Sequence, residues 1–190
     1  MIPLAFELRD RRVLVLGAGR IGASKTRLLL EAGAQVSVIA EHQLVEPPAG
    51  VTSFAKRRYQ PGDLAGYMLV VSATGDPATN DLVVKEARSR GIWINVVDDP
   101  GRSDFFFTAV YRSGDVIVSV STQGASPALA QEVRNQIRDT LPLGLGEVAQ
   151  ALRDERDRLH KLGLSTEDVD WRDLIRTLWA SASREVSGLY

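Results

Sequence analysis

Over its first hundred residues the chain alternates short apolar runs with stretches of helical periodicity. Val13-Leu14-Val15-Leu16 is a continuous β-rich run that feeds into Gly17-Ala18-Gly19-Arg20-Ile21-Gly22. Leu28, Leu29, Leu30 and Ala32 carry a helical pattern that Gly33 ends, and Val36 to Ile39 is the next β-rich run. Behind a Pro47-Pro48 loop, Val51 to Phe54 predicts a short strand. Met68 to Ala73 and Ile92 to Val97 read as parallel strands buried on both faces. Between them Pro77 opens a helix with Asp76 as N-cap; it continues through Leu82, Val83 and Ala87 to about Arg90, where Gly91 caps it. Strands alternating with helices predict an α/β fold, a doubly wound parallel sheet of Rossmann type. Ligands bind such sheets at the carboxyl ends of the strands, so the loops after Leu16, Ile39, Ala73 and Val97 are expected to line one crevice.

The pattern then changes. Phe105 to Tyr111 and Val116 to Val120 flank a Ser113-Gly114-Asp115 turn, which predicts a hairpin. Ser126 and Pro127 open a helix that runs to about Thr140, and Leu141-Pro142-Leu143-Gly144 breaks it. Residues 147 to 185 are charged and helical in pattern, with Trp171 and Trp179 spaced to share a face and Arg153 to Arg158 reading as a solvated face. The expected organisation is a Rossmann domain over 1–112, a dimerisation segment over 113–145 and a small helical domain over 146–190. The hairpin and the helix after Pro127 carry more apolar surface than so small a lobe can bury alone, which predicts a two-fold dimer.

The run from Arg11 to Glu41 carries the chemistry. Strand, glycine turn, helix, strand and acid together make a dinucleotide-binding βαβ unit. Gly17 allows the tight turn, Gly19 lets backbone approach a pyrophosphate, and Gly22 lets helix and strand pack closely. The helix N-terminus offers unpaired N–H groups and positive dipole to the phosphates. Glu41 stands where an acid can accept from ribose hydroxyls. That acid, and the lack of Arg or Lys from position 40 to 50, favour NAD over NADP. The expected cofactor residues are Gly17, Gly19, Arg20, Ile21, Gly22, Glu41, His42, Ala73 and Thr74.

Composition narrows the remaining chemistry. The 190 residues include 23 basic and 24 acidic side chains, a balance that draws the protein to neither nucleic acid nor anionic membrane. There is no cysteine, which removes disulfides and thiolate chemistry, and the two histidines, His42 and His160, lie far apart. No resident metal site is expected. Without an 18-residue apolar run the protein is expected to be soluble and cytoplasmic. The best catalytic candidate from spacing is Asp98-Asp99, which follows a buried strand on the ligand side. The competing reading is that the pair only builds a turn before Pro100-Gly101, in a non-catalytic NAD-binding regulatory module. Ser126 is equally well explained as a helix cap.

Five segments shift that balance: Ser24-Lys25-Thr26-Arg27-Leu28-Leu29-Leu30-Glu31-Ala32-Gly33, Ala73-Thr74-Gly75-Asp76-Pro77, Asn95-Val96-Val97-Asp98-Asp99, Ser103-Asp104-Phe105 and Ser121 to Ala130. Together they resemble the siroheme synthase N-terminal module, the family of precorrin-2 dehydrogenases, some of which are also sirohydrochlorin ferrochelatases. The similarity covers roughly residues 2 to 145. It implies NAD-dependent oxidation of precorrin-2 to sirohydrochlorin, with Fe2+ as a further substrate where chelation is present. It also implies a homodimer and an active site in the cleft between domains. The family's catalytic aspartate matches Asp98, and a serine tied to phosphorylation and substrate access in one branch matches Thr122. The family's usual glycine pair is Gln123-Gly124 here, the usual arginine after Leu-Ala is Gln131, and the glycine at the centre of the first turn is Ala18. One carboxylate beside the macrocycle can accept the proton lost on oxidation, and one of the pyrrole protons that iron insertion expels. Thr122, Ser126, Arg102 and Arg112 are the expected substrate contacts, the two arginines pairing with the substrate's carboxylates.

Overall fold

The computed structural model describes residues 1–167 and 169–187, and side chains as far as Ser181. The chain divides into two compact units, Met1–Phe106 and Phe107–Tyr190.

The first unit is a five-stranded sheet flanked by helices. Its elements in chain order are β1 (Arg12–Ala18), α1 (Arg20–Glu31), β2 (Gln35–Gln43), β3 (Ser53–Ala55), β4 (Leu69–Ser72), α2 (Pro77–Arg90) and β5 (Trp93–Val96). The strand order is β3-β2-β1-β4-β5, and every pairing is parallel. The chain moves outward from β1 to β3 and then crosses back to β4 on the other side. The order therefore reverses at β1, which makes its carboxyl end the topological switch point where ligands bind. Val13 to Leu16, Val36, Val38, Val70, Val71, Ile94 and Val96 are buried. That explains the unbroken apolar runs: each central strand is covered on both faces.

Both helices follow the periodicity. α1 buries Gly22, Ala23, Thr26 and Leu29, one face of a 3.6-residue repeat. α2 is capped as expected: the Asp76 carboxylate accepts from the N–H groups of Ala78 at 3.3 Å and Thr79 at 3.1 Å, and Gly91 closes it in the left-handed region.

Three boundaries differ from the expected ones. The first outer strand is Ser53–Ala55, two residues later than the hydrophobic pattern placed its start. β2 continues to Gln43, so Glu41 lies inside the strand rather than just beyond it. The third concerns Phe105, which does not begin a strand. The preceding stretch instead covers the outer edge of β5: Ile94 N–H donates to Asp104 Oδ2 at 3.0 Å, Val96 N–H to Ser103 Oγ at 2.9 Å, and Asp104 N–H to the Ile94 carbonyl at 2.7 Å. Asn95 Nδ2 reaches the Phe105 carbonyl at 2.9 Å. Aromatic β-propensity loses here to the need to satisfy an edge strand.

The second unit holds a two-stranded antiparallel sheet, β6 (Ala109–Ser113) and β7 (Val116–Val120), then α3 (Pro127–Thr140), α4 (Leu145–Lys161) and α5 (Trp171–Ser187). Ser126 caps α3, its Oγ accepting from Leu129 N–H at 3.1 Å. The hairpin turn meets the start of α4 through glycine on both sides. A Cβ on Gly146 would stand 2.9 Å from the Gly114 nitrogen, and one on Gly114 3.0 Å from the Gly146 Cα. The charged tail is two helices, broken at Gly163. On α5, Trp171 and Trp179 are both half-buried, as their spacing required. Among the described residues no helix is long and apolar enough to cross a membrane.

Candidate functional site

A cavity of about 480 Å³ opens at the carboxyl ends of β1, β2, β3 and β4. Its floor is the glycine turn. Gly17 has φ +103°, and a Cβ there would stand 2.3 Å from the Ala73 carbonyl oxygen. The first glycine is thus required by the approach of β1 to the loop after β4. Gly19 differs. A Cβ on it would meet only Leu44 Cδ1, at 3.9 Å, so the space above Gly19 is open to the cavity. Gly19 is also the N-cap of α1 and supplies no side-chain cap. The first amides of the helix are left for an anionic ligand, and the residues fit the pyrophosphate of a dinucleotide.

The walls come from three segments. Glu41 and His42 stand at the end of β2, Ala73 and Thr74 follow β4, and Arg57, Arg58 and Tyr59 follow β3. Thr74 is held in place: its hydroxyl donates to Asn80 Oδ1 at 2.9 Å and accepts from Asp76 N–H at 3.1 Å. The β3 loop is fastened at two points. Arg57 grips Asp63 with two bonds, 2.7 and 2.8 Å, which holds the Asp63 carboxyl below its usual range. Glu86 of α2 accepts from the Tyr59 hydroxyl and from Gly62 N–H. Burial and the Glu86 carboxylate together push the Tyr59 phenol up. Burial alone would raise Glu86 as well, but the donors from Tyr59, Gly62, Arg90 and Leu64 outweigh it and hold its carboxyl low.

Glu41 is not a lone acid. Arg58 Nε donates to Glu41 Oε2 at 2.7 Å. Positions 40–50 carry no Arg or Lys, but β3 pairs with β2 and brings an arginine to the acid from position 58.

Of the expected cofactor residues, Gly17, Gly19, Glu41, His42, Ala73 and Thr74 line the cavity. Arg20, Ile21 and Gly22 do not. The side chains of Arg20 and Ile21 are exposed, and Gly22 packs beneath Gly17. The loop after Val97 is also outside the lining, so three of the four expected strand ends converge and the β3 loop replaces the fourth. Arg57, Arg58 and Tyr59 were visible only as a basic run after a short strand. Which strand would neighbour β2 is a topological fact that local periodicity does not carry.

The Asp98-Asp99 pair separates into two roles. Asp99 builds the turn: its carboxylate accepts from Arg102 N–H at 3.2 Å and Arg102 Nε at 2.5 Å. Asp98 is exposed, with its backbone in the left-handed region at φ +61°. Burial lowers the Lys25 ammonium on α1 from its usual value, and the Asp98 carboxylate partly offsets this. Arg102 also pairs with Asp81, so both its charge and its reach are committed within the first unit.

The remaining candidates lie in the second unit. Thr122 and Ser126 close one loop: Thr122 Oγ1 donates to the Ser126 carbonyl at 3.0 Å and accepts from Ser126 N–H at 3.1 Å. Between them Gln123 sits at φ +54°, a conformation that glycine adopts at least cost. Arg112 on β6 is exposed opposite Ile117. Among the described residues no group of three or more His, Cys, Asp or Glu side chains is placed to hold a metal ion.

The chain is similar to known proteins. A family model described as putative NAD(P)-binding matches residues 4–109. The siroheme synthase of Methylococcus capsulatus is 38% identical over 164 residues, which cover 84% of this chain and 35% of that protein. Siroheme synthase 2 of Aeromonas salmonicida is 34% identical over 194 residues, 99% of this chain and 39% of that one. The chain thus spans well under half the length of these curated relatives. The solved structure of SirC, a precorrin-2 dehydrogenase, matches with a TM-score of 0.70 at 20% identity, covering 99% of this chain and 100% of that one. At that identity the match speaks for the fold.

Proposed function

The chain belongs to the putative NAD(P)-binding family, in the form found as the N-terminal module of siroheme synthases, and on that premise we propose that it oxidises precorrin-2 to sirohydrochlorin with NAD. The observation that carries this reading is the cavity at the β1 switch point, open above Gly19 and bounded by Glu41. Gly17, Gly19 and the first turn of α1 hold the pyrophosphate, and Glu41 accepts from the ribose hydroxyls. When bound, NAD supplies the hydride acceptor.

The chain's own part in the reaction is to place the macrocycle and take its proton. An Asp98 carboxylate oxygen accepts the proton released as the macrocycle is oxidised. The exposure of Asp98, and the way Asp99 alone supports the turn, favour this assignment over a pair that is merely structural. Thr122, Ser126 and Arg112 contact the substrate, with Arg112 pairing to its carboxylates. Arg102 is already bound by Asp81 and Asp99, so in this reading it positions the Asp98 turn.

Where iron insertion also occurs, Fe2+ is a substrate delivered to the macrocycle nitrogens, and Asp98 takes one of the expelled pyrrole protons. The protein acts as a homodimer in the cytoplasm. The test is anaerobic incubation with precorrin-2 and NAD, followed by Fe2+, recorded by absorbance. Sirohydrochlorin should form in the first stage only when NAD is present. Absence of turnover with intact NAD binding would favour the non-catalytic regulatory module.

A further inference from the structure

The ribose end of the cavity carries a charge arrangement that an acid at the end of β2 does not by itself provide. Glu41 uses one oxygen, Oε2, to accept from Arg58 Nε at 2.7 Å. Among the described residues neither Nη amine of Arg58 donates a hydrogen bond, and Glu41 Oε1 accepts none. The pair is open to water, with side chains 80% and 41% exposed for Arg58 and Glu41. Screening makes such a pair easy to rearrange. His42 Nε2 lies 3.9 Å from the same Glu41 oxygen. Arg57, by contrast, is committed to Asp63 through both terminal amines. Arg58 also feels Asp76, but that carboxylate is occupied in capping α2.

We propose that Arg58 is a cofactor-specificity residue that lets this cavity take a 2′-phosphorylated dinucleotide as well as NAD. The proposal rests on the reading of the cavity as the dinucleotide site. With a ribose diol, Glu41 keeps Arg58 on Oε2 and offers Oε1 to the hydroxyls. With a 2′-phosphate, Arg58 turns its planar fork to two phosphate oxygens, a stronger contact than its single bond to the carboxylate. In the first case, with the diol, the charge of Glu41 is matched by Arg58. In the second, Glu41 can swing toward solvent because, among the described residues, its carboxylate accepts no other hydrogen bond. The acid sets a preference for NAD and the arginine limits its size.

Calorimetric titration of the full chain with NAD and with NADP tests this. The wild-type dissociation constants for the two are expected to lie within about ten-fold of each other. Arg58→Ala should weaken NADP by at least about ten-fold and NAD by less than about three-fold, because only the phosphate depends on the fork. Arg58→Lys should fall between, keeping charge and losing the two-point contact. Glu41→Ala should tighten NADP and weaken NAD. If wild type binds NAD but not NADP, or if Arg58→Ala weakens both equally, the specificity role is overturned and the cofactor site stands. If wild type binds neither, the cofactor reading itself is overturned.

Discussion

Gly22 lies so close beneath Gly17 that a Cβ on it would stand 2.2 Å from the Gly17 carbonyl oxygen. The third glycine of the turn is therefore a packing residue, and its partner is the first. Gly19, between them, faces open space. Gly17 and Gly22 should respond to substitution differently from Gly19. Gly22→Ala should destabilise the fold by about 1–3 kcal/mol, the usual cost of overpacking against backbone that cannot yield. Gly17→Ala should do the same, through both its φ and the Ala73 carbonyl. Gly19→Val should fold normally and lose dinucleotide binding. Urea unfolding midpoints and calorimetric titration with NAD separate the two outcomes. A Gly19→Val protein that binds NAD as wild type would remove the pyrophosphate from this turn.

That separation was partly legible in the sequence. The runs from Val13 to Leu16 and from Met68 to Ala73 announced buried parallel strands, because a strand covered on both faces has no polar side to show. Asp76, Pro77, Gly91 and Ser126 announced helix ends, because caps are local chemistry. What local pattern did not carry was neighbourhood. Arg58 reaches Glu41 only because β3 pairs with β2, and nothing in Lys56-Arg57-Arg58-Tyr59 states that pairing. The aromatic run at Phe105 misled for the same reason. Its propensity is local, but the Ser103–Phe105 stretch is claimed by the unpaired edge of β5.

Asp98 and Asp99 should separate under mutation. Asn keeps the tolerance for the left-handed conformation at position 98 while removing the carboxylate. Asp98→Asn should fold and bind NAD as wild type and lose dehydrogenase turnover by at least about 10²-fold. Asp99→Ala should lower the melting temperature instead, because Arg102 loses its partner in the turn. A second readout is independent of turnover. The Asp98 carboxylate holds up the pKa of Lys25 against burial, so Asp98→Asn should move it further down. A titration followed at the Lys25 Nζ by NMR would register this, and an unmoved value would mean that the two groups do not communicate.

Acid should loosen the wall of the cavity before the sheet. Asp63, gripped by Arg57, and Asp76, bonded to the Thr79 hydroxyl and to helix amides, both have carboxyls held below their ordinary values. Groups of this kind contribute stability that is fully present above the unfolded pKa of about 4 and is lost as pH falls through the lower folded value. The urea midpoint should be flat from neutral pH to about 5 and fall below about 4. Asp63→Asn should lie lower at neutral pH and fall less steeply on acidification. A slope identical to wild type would show that this carboxylate does not contribute to acid unfolding.

The hairpin of the second unit poses a stability problem that a second copy of the chain would solve. No residue of β6 or β7 is fully buried, and Ile117 and Leu129 are 49% and 53% exposed. Ala130, Val148 and Leu159 are the buried hydrophobics of this unit among the described residues. A two-stranded sheet is marginal in water unless a further surface covers it. If two-fold pairing supplies that surface, sedimentation equilibrium at micromolar concentration should return twice the 20.7 kDa chain mass. Ile117→Asp, at a position already solvated in the single chain, should shift the mass toward that of one chain and leave NAD binding to the first unit intact. The second readout matters because a misfolded variant would lose both properties. A wild-type protein that sediments as one chain would leave the hairpin to be covered by something other than its own copy.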